Sequence, residues 1–155
     1  MPPGRRYLSQ GAMHMPNFND AKITSLYVNA VGAAIDIQDD APNAANPAGP
    51  FDVTLEMVAG NGLLTGGYTV TTTCTDLTKA QAAPASLVPG GHLNNAADTF
   101  GEAGVWKPVP PYLTFNQSVQ VSGGTAGHVY QYTASLYNAN GQVASIIQSD
   151  PFILL

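Results

Sequence analysis

Charge is scarce in this sequence. Asp, Glu, Lys and Arg together make up 10% of 155 residues, against about a quarter in ordinary soluble domains. Only five residues are Lys or Arg, and of these only Arg5 and Arg6 adjoin. A phosphate backbone is held by clustered cations, so nucleic acid is not expected as a partner. The formal net charge of −5 supports solubility and little else. Polar surface must therefore come from Thr, Ser, Asn, Gln and Gly. Such a composition suits secreted β-proteins and self-assembling or particle-associated subunits, and it leaves the compartment open.

Cysteine is nearly absent too. Cys74 stands alone, which rules out an intrachain disulfide. It shares parity with Tyr68, Val70 and Thr72 and has no histidine close in sequence, so a buried, inert thiol is expected. No stretch approaches the about 18 apolar residues of a membrane helix, and no apolar run follows Arg5-Arg6 as a signal peptide requires. Membrane insertion is not expected. Residues 1–20 read as a flexible N-terminal extension, with Met13 and Met15 as alternative starts, and residues 21–155 as one domain.

The motifs of catalysis are missing as well. There is no nucleophile elbow, P-loop or dinucleotide fingerprint, and no cofactor is expected. His14, His92 and His128 lie far apart and in no metal-ligand spacing. Of the two glutamates, Glu56 belongs to the wet face of a strand and Glu102 to a loop. A glycosidase needs a second carboxylate about 5 to 9 Å away, and nothing here proposes one. The one local acidic cluster is Asp36, Asp39 and Asp40, with Asn43 nearby. It is a calcium candidate of the kind that loops at sandwich ends supply, but a solvated acidic loop is the plainer reading.

What the chain does have is alternation. Tyr130, Tyr132, Ala134 and Leu136 share one parity; Gln131, Thr133 and Ser135 share the other. Successive side chains of a strand point to opposite faces, so this segment has one buried and one wet face. Asn140-Gly141 suits a type I′ turn, and residues 142–148 supply the second strand of a hairpin. Earlier strands are read over residues 22–30, continuing through Ile35 and Ile37, over 51–59 with Asp52, Thr54 and Glu56 on the wet face, and over 68–76 with a threonine series outward. Residues 39–50, with their prolines, form a loop. Residues 80–111 read as a long irregular loop ending in Pro108, Pro110 and Pro111, and Leu113, Phe115, Val119 and Val121 mark the next strand. About seven strands and no confident helix make an all-β antiparallel sandwich.

The segment V-Y-Q-Y-T-A-S-L-Y-N-A-N-G-Q-V-A-S-I-I-Q-S-D-P-F, residues 129–152, resembles the last two strands of immunoglobulin-like sandwiches, fibronectin type III domains included. The resemblance implies a tyrosine, Tyr130 or Tyr132, that caps the preceding corner by bonding backward to backbone. It brings no active site. It also departs from antibody domains, since there is no cysteine pair and Trp106 comes late, in the approach to a strand.

Three functions follow as expectations. The first is a non-catalytic module for structural assembly or protein–protein contact, with self-association favoured because low charge weakens the usual protection of sheet edges. The second is a carbohydrate-binding module using Trp106, Lys107 and Tyr112, beside a calcium ion on Asp36, Asp39 and Asp40. Against it stands the alternative that Trp106 plugs one end of the sandwich. The third is a hydrolase around His92, Asp98 and Glu102, which requires those groups to converge in a concave pocket.

Overall fold

The computed structural model describes residues 17–29 and 50–154. In chain order the strands are β1 (Ala21–Asn29), β2 (Phe51–Gly60), β3 (Gly67–Asp76), β4 (Gln81–Ala82), β5 (Asn95–Thr99), β6 (Trp106–Val109), β7 (Tyr112–Val121), β8 (Val129–Asn138), β9 (Val143–Gln148) and β10 (Phe152–Ile153). No α-helix occurs among the described residues. One antiparallel sheet runs β1-β2-β7-β6. The other is built on β8 and β3: β9 and β10 follow one another along the free side of β8, while β4 and β5 flank β3. The two sheets pack face to face as a β-sandwich.

Parity builds the core as the sequence leads one to expect. Val53, Leu55 and Met57 from β2, Leu113 and Phe115 from β7, Tyr68, Val70 and Cys74 from β3, and Tyr130, Tyr132, Ala134 and Leu136 from β8 are all buried in one cluster. Ring contacts join the layers: Phe152 lies 5.6 Å from Phe51 and 5.8 Å from Tyr132 between centroids. Tyr130 also closes the corner before β8, its hydroxyl accepting the backbone N–H of Thr125 at 2.8 Å.

Four details differ from the expectation. Thr54, placed on a wet face, is buried, because Tyr27 and Ser118 stand opposite it on either side and its hydroxyl bonds Ser118 Oγ at 2.7 Å. The segment 80–111 is not plain loop. Leu87 and Leu93, on two single turns of 3-10 helix, are anchored in the core, and β5 pairs with the start of β3. Its polar residues still form a strand because an open sheet edge receives them, a long-range opportunity invisible in local composition.

The terminal hairpin turns through three residues rather than two. Only Gly141 has positive φ, Gly141 N–H donates to Asn138 O, and Asn138 N–H donates to Gln142 O, the pattern of a type I turn followed by a left-handed glycine. Asn138 selects this form by accepting the N–H groups of Asn140 and Gln142 on its side-chain oxygen. At the same end, the chain at residues 17–20, expected within a flexible extension, forms a turn that lies against Gly60 and Gly62. Phe18 O accepts Gly62 N–H and Asp20 O accepts Gly60 N–H, and a Cβ at Gly60 would collide with the carbonyls of Asn17 and Phe18. The expected strand continuation at Ile35 and Ile37, and the loop through residues 39–49, lie outside the described residues.

Candidate functional site

Trp106 faces inward from β6. It is 5% exposed and packs against Phe115, Phe100 and Tyr68 at centroid distances of 5.2, 5.4 and 5.7 Å. Its place as an exposed aromatic contact is therefore corrected: the indole is core, donating its N–H to Tyr68 Oη at 2.9 Å. A strand sends neighbours to opposite faces, so Lys107 points the other way, exposed, as does half-buried Tyr112 opposite Val109. The expected trio is thus split across the sheet. Lys107 and Pro108 instead sit on an edge strand, where a cation and a missing N–H discourage further strand pairing.

Of the proposed hydrolase residues, His92 and Asp98 do meet, with His92 Nδ1 3.1 Å from Asp98 Oδ2. The Asp98 carboxylate is buried and also accepts Asn95 Nδ2 at 2.9 Å and Tyr68 Oη at 3.4 Å. Burial, in turn, pushes the Tyr68 phenol well above its ordinary range. The result is a polar chain Trp106–Tyr68–Asp98–His92 running from the core to the surface, with His92 partly exposed at its end. Glu102 makes no hydrogen bond to either partner; its backbone oxygen instead accepts the N–H groups of Val105 and Trp106. The hollow beside Asp98, about 390 Å³, is lined by Tyr68 and Asp98 but not by His92. The convergence that hydrolysis requires is therefore incomplete. What the pair visibly does is tie the turn at residues 91–93 to β5.

A second such pair, His128 Nδ1 to Asp76 Oδ2 at 2.8 Å, joins the start of β8 to the end of β3. Burial alone would raise the Asp76 carboxyl, but the bond from His128 and the N–H of Lys79 outweigh it and hold the group below its usual value. Neither pair belongs to a cluster of three or more His, Cys, Asp or Glu able to hold a metal among the described residues. Asp36, Asp39 and Asp40 lie outside them.

Two features remain that residue spacing did not announce. One is a cleft of about 720 Å³ at the end of the sandwich where residues 17–22, the start of β3 and the β8–β9 turn come together. The other is the outer face of the second sheet. Register places Thr69 beside Tyr137, Thr71 beside Ser135, Thr73 beside Thr133 and Thr75 beside Gln131, and β9 extends these rows with Val143, Ile146 and Gln148. None of these outward residues is charged, and Val143 and Ile146 are 54% and 59% exposed. The opposite outer face carries Lys22, Glu56 and Lys107. The threonine series was legible in the sequence; that it would meet Ser135, Thr133 and two exposed aliphatic residues across three strands was not.

No protein-family model matches the chain, and no curated protein matches it in sequence.

Proposed function

We propose that the protein is a non-catalytic, immunoglobulin-like module that assembles with further copies of itself through the outer face of β3, β8 and β9. The observation that carries the reading is the lack of any charged side chain among the outward residues of those strands. Two copies of a chain with net charge −5 repel one another on most approaches. On this face, among the described residues, there is no like charge to desolvate, and Val143 and Ile146 offer apolar area for burial. Edge-to-edge pairing is the weaker route. β6 is guarded by Lys107 and Pro108, and β1 lies against β9, with Ile23 N–H donating to Ser145 Oγ at 3.0 Å.

The immunoglobulin-like part of the reading is supported by strand order. β1-β2-β7-β6 over β9-β8-β3 follows the A-B-E-D and G-F-C arrangement, and the bond from Thr125 N–H to Tyr130 Oη has the form of the tyrosine corner at the start of the sixth strand of that scheme. The buried tryptophan departs from the pattern, since it lies on β6 rather than on β3.

Size sets the expected strength. The three strands, of ten, ten and six residues, at about 3.4 Å rise and about 4.8 Å spacing, span about 420 Å². Stable pairs bury about 800 Å² per partner, so association is weak and concentration-dependent. Sedimentation velocity over a concentration series should show reversible self-association, abolished by Thr71→Glu with Ile146→Glu and left intact by Asn116→Lys on the opposite sheet. A wild-type chain that stays monomeric throughout refutes the reading.

A further inference from the structure

The cleft at the β8–β9 turn has a chemistry of its own. Its walls carry the carboxamides of Asn17, Asn19, Asn138 and Asn140, with Asp20 and Lys22 at one side. Asn138 is used inside its own turn, bonding Asn140, Gln142 and the Gln142 side chain. Asn17, Asn19, Asp20 and Asn140 are exposed, and Lys22 is half-buried. Apolar lining comes from Leu63, half-buried, with buried Leu136 and Phe100 behind it, beside Gly66 and Gly67.

We propose that this cleft binds a neutral carbohydrate, a short oligosaccharide of uncharged sugars. A carboxamide presents a donor and an acceptor side by side, which matches the paired hydroxyls of a sugar ring. The C–H face of such a ring needs an apolar floor, and a single Asp beside a single Lys leaves no net charge to attract an ionic ligand. The volume lies within the about 300–1,000 Å³ of small-ligand sites. The cleft meets the outer face of the second sheet at Tyr137, and the proposal does not rest on assembly. It also does not use Trp106.

The test is a titration of the full chain with short homo-oligomers of glucose, mannose, galactose and N-acetylglucosamine, read by backbone amide shifts and calorimetry. At least one series should shift the amides of residues 17–22 and 138–141 in a saturable way. Asn19→Ala and Asn140→Ala should each weaken that binding by about tenfold, the worth of one hydrogen bond to a ligand, with the thermal midpoint unchanged. Thr133→Ala on the outer face should leave the binding unchanged. The proposal is overturned if no series moves those amides at about 10 mM sugar, if the double variant Asn19→Ala/Asn140→Ala binds as well as wild type, or if acidic sugars bind better than neutral ones. None of these readings depends on the association state, which scattering measures separately.

Discussion

The indole N–H of Trp106 and the phenol oxygen of Tyr68, 2.9 Å apart, join the two sheets of the sandwich inside the core. The phenol passes the connection on to the buried carboxylate of Asp98, and Asp98 to His92 at the surface. An aromatic plug thus doubles as the base of a polar chain.

Removing the plug should be costly. Trp106→Ala is expected to destabilise by about 3–5 kcal/mol, as other large aromatic truncations do. Tyr68→Phe keeps the ring but strands the indole N–H and removes a donor to Asp98, for about 1–3 kcal/mol. Urea denaturation of the two variants checks both numbers. An effect of Trp106→Ala below about 1 kcal/mol would contradict its burial.

Parity makes a second prediction. Tyr132→Ala and Leu136→Ala should each cost about 2–5 kcal/mol, whereas Thr71→Ala, on the outward side of β3, should stay within about 0.5 kcal/mol. Tyr132 carries an extra penalty, since its hydroxyl donates to Leu87 O at 2.6 Å and holds the 3-10 turn at residues 85–87. Equal losses from the inward and outward substitutions in the same melts would defeat the assignment of faces.

Acid should act through Asp76. Its folded carboxyl lies below the unfolded value of 3.8, so the folded state binds that proton less readily than the unfolded chain. The stabilisation is complete above the unfolded value and is lost as pH falls through the lower, folded one. Asp76→Asn should therefore flatten the acid limb of a stability-against-pH curve below about pH 4. A variant limb as steep as that of wild type would sink the assignment.

Cys74 should be silent in the native protein. Burial pushes its thiol up to about 12, so at neutral pH almost none is thiolate. Alkylation by iodoacetamide at pH 8 is expected to follow global unfolding, slow in buffer and rapid in denaturant. Prompt labelling of the folded chain would show an accessible sulfur and contradict the burial of Cys74 between the two sheets.

How far all this was legible in residue order depends on distance along the chain. Inward and outward faces of β2, β3, β7 and β8 follow from a period of two, a property of each strand alone, and so the all-β class and most of the core could be read directly. Even there Thr54 failed, because its burial is set by Tyr27 and Ser118 on neighbouring strands. The Asn140-Gly141 turn was located but its type, read as a two-residue I′ turn, was wrong, since the hydrogen bonds of Asn138 choose the three-residue form.

Partnership across the fold was beyond residue order. Alternation says that Trp106 and Tyr68 each have a face; it cannot say that two residues 38 positions apart meet, because that needs the strand order of both sheets. The same holds for the cleft, whose asparagines come from two ends of the chain, and for the uncharged face, which exists only once β3, β8 and β9 lie side by side in register. Local steric and hydrophobic periodicity is written into neighbouring residues. Sites are made of distant ones, and the pairing of sheets brings them together.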